Sequence, residues 1–452
     1  MKNMKNTFKD ISKYPSAIFG AIIILLLVAL AIYAVFSIPY DEAIRLWRGG
    51  EDTVYRNPKN VPPSWFNYFS DKDLPISFAV IAGEDEGFSK VITPWESGSS
   101  IEYKYTFDFQ YDEYPQELFL YIQADYDVKN PFISVVLETP DGEEIKITDF
   151  GVSNKQTYRF SQDDRLLTRL KRIHGGEILA MQGLFSVPKS EPLKINKGLY
   201  TLKILASTFE KDSDVRIEFV SHGLVFGLFG TDHMRRDLTT AILWGAPIAL
   251  AFGLLAAATT SVLSMLIAAI GAWFGGWVDE LIQRITEVNL VLPFLSILIM
   301  VGTFYSRSIW IILGVTIALS IFTGAIKTNR AIFLQVKEST YIEAARAYGA
   351  SNSRIIVRYL VPRIIPLLIP GLVSAVPSYV FLEASLALLG LGDPTLPTWG
   401  KVINDAYANG ALYRGQFYWI LEPAILLMIT GLGFAMLGFA LDRIFNPRLR
   451  GM

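Results

Sequence analysis

No cysteine occurs among the 452 residues, so the chain has no disulfide framework and no thiolate metal site. Histidine is nearly as scarce. The three present, His174, His222 and His233, stand alone, without an H-E-x-x-H helix or a carboxylate at metal-ligand spacing. A G-x-x-x-x-G-K-[ST] loop is missing: Gly400-Lys401 is followed by Val402, so no phosphate-cradling turn is encoded. No G-x-S-x-G nucleophile elbow occurs either. Net charge is close to zero, −2 from 41 basic and 43 acidic residues, which offers nothing to a nucleic acid. From these absences we expect no catalytic residue, no metal and no cofactor held by this chain. It is expected not to be an enzyme.

What the sequence does have is apolar length. Hydrophobic residues make up 51% of it. The run Ala17–Ile38 carries no charge and exceeds the ~20 residues that cross a bilayer. Five more apolar stretches follow, at Leu238–Val278, Val288–Ser306, Ser308–Ile326, Ile364–Gly392 and Pro423–Leu441. The first of these is too long for one perpendicular span, so part of it is expected to tilt or lie along the interface. Six membrane helices is the simplest count. Lys2, Lys5, Lys9 and Lys13 make a basic leader, yet the apolar run outlasts the roughly 7–15 residues of a signal-peptide core, and no small-x-small cleavage site follows. An uncleaved anchor is the expectation. Basic residues flanking the spans set orientation. The leader, the group Lys327, Arg330, Lys337, Arg346, Arg354, Arg358 and Arg363, and the group Arg443, Arg448 and Arg450 all lie inside if six spans leave both termini in the cytoplasm. Residues 1–16 are then a cytoplasmic tail, 17–38 the first span, 39–236 an extracytoplasmic domain, and 237–452 a five-helix core.

The stretch 39–236 reads as strands. Ile101–Tyr111 (IEYKYTFDFQY) alternates strictly, the mark of a half-buried antiparallel strand. Shorter runs follow at 118–126, 132–138, 145–150, 199–205 and 215–220, punctuated by turn signals at Thr139-Pro-Asp-Gly and Lys197-Gly. An all-β sandwich or jelly roll is expected, with Tyr103, Tyr105, Phe107 and Phe109 in its core and Asp163–Arg172 helical or irregular.

Two features break the apolar background. Glu383 lies within YVFLEASLALLGLG, where a charge costs about 2.5–3.5 kcal/mol and is expected to face a cavity or a partner helix. It and Ser385 are candidates for a translocation path, or for a structural bond between helices. The second feature is EAARAYGASNSRIIVRYLVP, Glu343–Pro362. Tyr341–Tyr348 is expected to form a short alanine-rich helix, which Gly349 ends in the left-handed conformation. Ser351 or Asn352 is positioned to cap a second helix, with Ile355, Ile356, Tyr359 and Leu360 on its apolar side and Arg354 and Arg358 sharing a face. The result is a compact knob between the fourth and fifth spans.

The spacing Glu343-Ala344-Ala345, three residues, Gly349, nine residues, Tyr359-x-Val361-Pro362 resembles the EAA loop of ABC importer permeases, with Tyr359 at the usual isoleucine position. Four other segments resemble the C-type permease subunit of dipeptide and oligopeptide importers. They are Gly230-Thr-Asp232 through Asp237, with Arg235 where glycine is usual; Gly275-Gly-Trp-Val-Asp279 with Arg284, Glu287 and Pro293; Glu383 through Gly392 with Pro394, Pro397 and Trp399-Gly400; and Asn446-Pro-Arg-Leu-Arg450. The resemblance implies a type I ABC importer permease fold with a coupling loop over about 327–363. Glu343, Ala344, Ala345, Arg346, Gly349, Ala350 and Ser351 would face an ATPase. It further implies a heterodimer with a B-type permease in the cell membrane, two cytosolic ATPases carrying ATP and Mg, and an extracytoplasmic binding protein. Dipeptides or oligopeptides are the implied cargo, with oligosaccharides or nickel complexes as alternatives. An ion-gradient carrier and a membrane-anchored adhesin or receptor are the rival classes. The long β-rich insertion departs from the shorter loop usual in the family.

Overall fold

The computed structural model describes residues 14–80 and 87–445. The lysines of the basic leader and the segment Asn446–Arg450 lie outside the described residues. The chain divides into two compact units, Met1–Arg48 with Thr240–Met452, and Gly49–Thr239.

The first unit is helical. It comprises α1 (Pro15–Ser37), α2 (Tyr40–Arg48), α3 (Leu238–Phe274, whose first two residues belong to the other unit), α4 (Gly276–Val291), α5 (Phe294–Phe304) and α6 (Ile309–Ile321). After these come α7 (Gly324–Lys337), α8 (Thr340–Ala347), α9 (Asn352–Ile355), α10 (Val361–Leu386), α11 (Trp399–Ala408) and α12 (Tyr418–Phe445). Four helices, α1, α12, α3 and the α9–α10 run Asn352–Leu391, are long and apolar enough to cross a membrane alone; the total reaches six if two bent pairs each count as one span. Those pairs are α4–α5, bent by 75°, and α6–α7, bent by 45°. One expectation is corrected here. The stretch Leu238–Val278 forms a 37-residue helix ending at Phe274, about 55 Å long at 1.5 Å per residue and so longer than a perpendicular span needs, as expected; Gly275 and Gly276, at φ +62° and +52°, stop it. The stretch Val288–Ser306 is no continuous span, because Pro293 has no N–H to continue the ladder and the chain turns there.

Small residues set the helix contacts. A Cβ on Gly20 would stand 2.7 Å from the Gly433 carbonyl oxygen, so α1 and α12 touch through backbone, as apolar helices without a hydrophobic drive between them do. Trp399 at the start of α11 is fully buried and donates its indole N–H to Ile242 O on α3 at 3.0 Å. One apolar cluster joins Ile23 and Leu27 of α1, Ala246 and Leu250 of α3, Val376 and Val380 of α10, Trp399, and Phe434 of α12.

The second unit is a two-sheet β-sandwich with a single core. Its strands are β1 (Phe78–Val80), β2 (Phe88–Trp95), β3 (Gly98–Phe109), β4 (Glu117–Asp125), β5 (Phe132–Glu138), β6 (Glu144–Gly151), β7 (Lys155–Arg159), β8 (Gly198–Ser207) and β9 (Asp214–His222). One sheet runs β1-β9-β4-β7 and the other β2-β3-β8-β5-β6, with antiparallel pairing throughout. Tyr103, Tyr105 and Phe109 are buried and Phe107 packs against them, as the alternation requires. The Tyr103 and Tyr105 hydroxyls donate to Val215 O and Ile217 O of β9, so buried phenols from one sheet satisfy carbonyls of the other. The segment Asp164–His174 is helical, and Asp163 caps it by accepting from the amides of Arg165 and Leu166.

Candidate functional site

The knob forms from residues 324 to 364. Helix α8 holds Ala344, Ala345 and Ala347, strong helix formers. It ends where Gly349 takes φ +76°. The Ala350 amide donates to Ala345 O (3.0 Å) and the Gly349 amide to Arg346 O (2.9 Å), a Schellman closure that satisfies the last carbonyls. A side chain at Gly349 would meet no neighbour; the constraint is backbone conformation alone. Ser351 occupies the N-cap position of α9, but its hydroxyl makes no capping bond and instead lies 3.4 Å from the Ser353 hydroxyl. A π turn over Ile356–Leu360 then leads into α10.

The inner face of the knob is fixed by packing. Ile342 and Ala345 of α8, Ile355, Ile356, Leu360 and Ile364 are buried with Phe333 of α7 against Met265, Ala268, Ala269, Ala272 and Trp273 at the end of α3. Tyr359, expected on this face, is exposed, because the π turn shifts the side chains from ordinary 3.6-residue spacing. Three cations complete the attachment. Lys337 Nζ donates to the carbonyls of Ala272 and Trp273, at 2.8 and 3.0 Å, groups that a helix C-terminus leaves unsatisfied. The Arg346 guanidinium lies 4.3 Å over the Trp273 ring, a cation–π contact. Arg330 of α7 grips Asp279 of α4, Nε to Oδ1 at 2.7 Å and to Oδ2 at 3.0 Å, with Nη2 on Oδ2 as well. The Gly-Gly reversal after α3 thus delivers Asp279 to the arginine.

The outer face is left open. Glu343, Ala344, Arg354 and Arg358 are exposed, Val357 is exposed, and Tyr348 is 92% accessible. No ion pair among the described residues engages Glu343. A carboxylate, arginines and an aromatic ring on one rigid projection suit a protein partner.

Glu383 and Ser385 do not come together. Glu383 is buried in α10, and Thr398 caps α11 by accepting from the Lys401 amide at 3.2 Å. Ser385 is exposed and donates to Phe381 O of its own helix at 2.7 Å. A cavity of about 440 Å³ opens one residue away, lined by Asn289, Ser320, Thr323, Ser378, Tyr379 and Leu382 among others. It lies at the two helix breaks. Asn289 Nδ2 donates to the carbonyls of Leu319 and Phe322, both at 2.8 Å, tying the end of α6 to the end of α4. Sequence reading passes over these residues because each is a single polar group in an apolar run.

In the other unit, the turn after Gly230 is organised by Asp232. Its carboxylate accepts from the amides of Met234 (2.8 Å) and Arg236 (2.9 Å) and from Arg236 Nε (2.5 Å). Arg235, standing where glycine is usual, keeps a glycine-like φ of +65°.

Comparison with known proteins bears on these features. Residues 260–451 match the family described as binding-protein-dependent transport system inner membrane component. The match begins within α3 and leaves the β-sandwich outside it. The dipeptide transport system permease protein DppC of Bacillus subtilis is 28% identical over 276 residues, 60% of this chain and 82% of that protein. A putative peptide transport system permease of Brucella suis is 30% identical over 53% of this chain and 79% of its own length. The glutathione transport system permease protein GsiD of Escherichia coli is 30% identical over 49% and 73% respectively. A solved structure of carbohydrate-binding modules from the β-sandwich superfamily overlays 37% of this chain and 63% of its own at 13% identity and a TM-score of 0.19, too low to carry an argument.

Proposed function

This chain belongs to the family of binding-protein-dependent transport system inner membrane components, multi-pass proteins of the inner membrane, and on that footing we propose that it is a permease subunit of an ATP-driven importer of short peptides. In this reading the six-span count holds, with each bent pair crossing once, both termini are cytoplasmic, and the β-sandwich is extracytoplasmic. The chain works beside a second permease, two ATPases that bind ATP and Mg, and a binding protein that delivers substrate. It binds no cofactor of its own.

The observation that carries the reading is the build of the knob. Its exposed rim, from Glu343 to Gly349 and on to Arg358, is rigidly joined to α3, through Lys337 on the last carbonyls and Arg346 on Trp273. A push on the rim is therefore delivered to the end of a 37-residue helix. The cavity at the helix breaks, where Asn289, Ser320, Thr323 and Ser378 interrupt a mainly apolar wall, joins Ser385 as a candidate contact along the path. Glu383, buried in α10, stays a candidate for the translocation path.

Gly349→Val forces a β-branched residue into the left-handed region, a cost of ~1–2 kcal/mol, and reshapes the rim without touching the spans. Glu343→Lys reverses the charge offered to the ATPase. In proteoliposomes with the partner subunits, both variants are expected to insert normally and to lose most peptide uptake while ATP hydrolysis continues. Normal uptake by both would sink the proposal.

A further inference from the structure

The β-sandwich carries a groove that the importer reading does not use. It has a volume of about 1170 Å³ and lies over the outer face of the β1-β9-β4-β7 sheet, within the unit Gly49–Thr239. Alternation along β4 turns Leu118, Leu120 and Ile122 into the core and leaves Phe119 and Tyr121 on the opposite face. Phe119 is buried there, whereas Tyr121 stays partly exposed. Tyr55 stands edge-on to Tyr121 at 4.5 Å, and Arg235 lies over the Phe119 ring at 5.3 Å.

Charge is unevenly spent here. Lys59, Lys90, Lys155, Arg216 and Arg235 line the groove against two carboxylates, Asp214 and Glu218. Glu218 is held by Arg56 at 2.6 Å and by the Tyr55 hydroxyl at 2.8 Å. Asp214 is met by Lys90 at 3.4 Å and Arg216 at 3.8 Å. Among the described residues Lys59, Lys155 and Arg235 form no ion pair. Arg235 keeps its cation there despite a left-handed backbone that costs a non-glycine residue about 1 kcal/mol or more. A recessed, partly aromatic cleft with unpaired cations has the build of a small-ligand site.

We propose that this groove binds a short peptide through its free carboxylate, which the unpaired cations receive while the Tyr55–Tyr121 pair takes an apolar side chain. The choice of peptide over other carboxylates rests on the importer reading. A sugar fits less well, because Tyr55 and Tyr121 meet at 68° and offer no flat platform. A protein partner would need roughly 800 Å² of surface on each side, and this feature is a recess.

The test uses the full chain in lipid nanodiscs and titration calorimetry with tri-alanine, C-terminally amidated tri-alanine and trigalacturonate. Tri-alanine is expected to bind, and amidation or Lys155→Glu to weaken it about tenfold or more, the loss of one charge-assisted contact. Lys155 is exposed on an edge strand, so its variant should melt as wild type does; Tyr121→Ala provides a second variant on the aromatic side. Equal binding of the amidated peptide, no effect of either variant, or preferential binding of trigalacturonate overturns the proposal. So does capture of the binding protein, without peptide, that Lys155→Glu abolishes, since that result makes the groove a protein-docking surface. None of these outcomes touches the importer reading, which fails only if the Gly349 and Glu343 variants transport normally.

Discussion

Arg330 and Asp279 stand 51 residues apart and meet in a bidentate pair whose side chains are 33% and 15% exposed. A pair this accessible contributes modestly, about 1 kcal/mol, yet it fixes α7 to the start of α4. A double-mutant cycle with Arg330→Ala and Asp279→Ala, read by thermal unfolding in nanodiscs, is expected to return a coupling of that size; strict additivity would show the pair to be incidental. His222 offers a second residue-scale measurement. It is buried in the β-sandwich with Nε2 2.9 Å from Tyr55 O, and burial, aided by the nearby Arg235, pushes its pKa down to about 4. The unfolded value is higher, near 6.5, so the unfolded chain takes the proton first. The contribution to stability is complete above pH 6.5 and is lost as pH falls toward 4, at ~1.4 kcal/mol per unit. Stability of the sandwich against unfolding should thus fall by about 2 kcal/mol between pH 6.5 and 5, and His222→Phe should flatten that dependence. An unchanged slope in the variant would assign the effect to another group. Neither pair of contacts has a local sequence signal. Asp279 belongs to a motif legible from the Gly-Gly that precedes it, whereas Lys337 on Trp273 and Arg330 on Asp279 join positions whose separation follows no period.

At the scale of elements, what could be read was whatever repeats. The strict alternation of β3 placed four aromatic residues correctly, and alanine content with Gly349 placed α8 and its left-handed end, while the second helix holds only over Asn352–Ile355 before the π turn. Strands β1, β2 and β7 were not foreseen: β2 is an edge strand with Val91 and Ile92 exposed, so no burial pattern is imprinted on it. The helix breaks at Leu292–Pro293 and Phe322–Thr323 are equally faint, since apolar residues continue across both. Close contacts between helices are the other feature that periodicity hides. A Cβ at Gly245 would overlap the Trp399 indole, and one at Gly400 would come within 2.6 Å of Ala384 Cα, so α11 wedges between α3 and α10 only because both glycines are bare. Gly245→Leu should expel Trp399 and cost about as much as Trp399→Ala, ~3–5 kcal/mol. Trp399→Phe, which keeps most of the ring but loses the bond to Ile242 O, should cost ~1 kcal/mol. These values are measurable as shifts in thermal unfolding and in protease resistance of the reconstituted chain. If Gly245→Leu melted like wild type, the wedge would be dispensable.

At the scale of the whole molecule, each unit has its own core, and the family match starts at residue 260, beyond the insertion. The helical unit contains the knob, the cavity and the Trp399 wedge, which is every part that the proposed coupling requires. The sandwich is then an addition to the matched permease region, and in the proposed topology it stands on the side where substrate arrives. Replacing residues 50–236 by a short flexible linker should leave a folded helical unit that still binds the ATPases and still loses uptake when Gly349→Val is added. Capture of the binding protein, measured by its dissociation constant on the reconstituted complex, should weaken by about tenfold. The intact chain carrying Lys155→Glu separates two roles for the sandwich: it should lose affinity for tri-alanine while retaining the binding protein. Capture that is unchanged by the deletion would remove docking from the account and leave the groove as the domain's only assigned task. A helical unit that fails to assemble without residues 50–236 would show instead that the insertion is part of the permease's own fold.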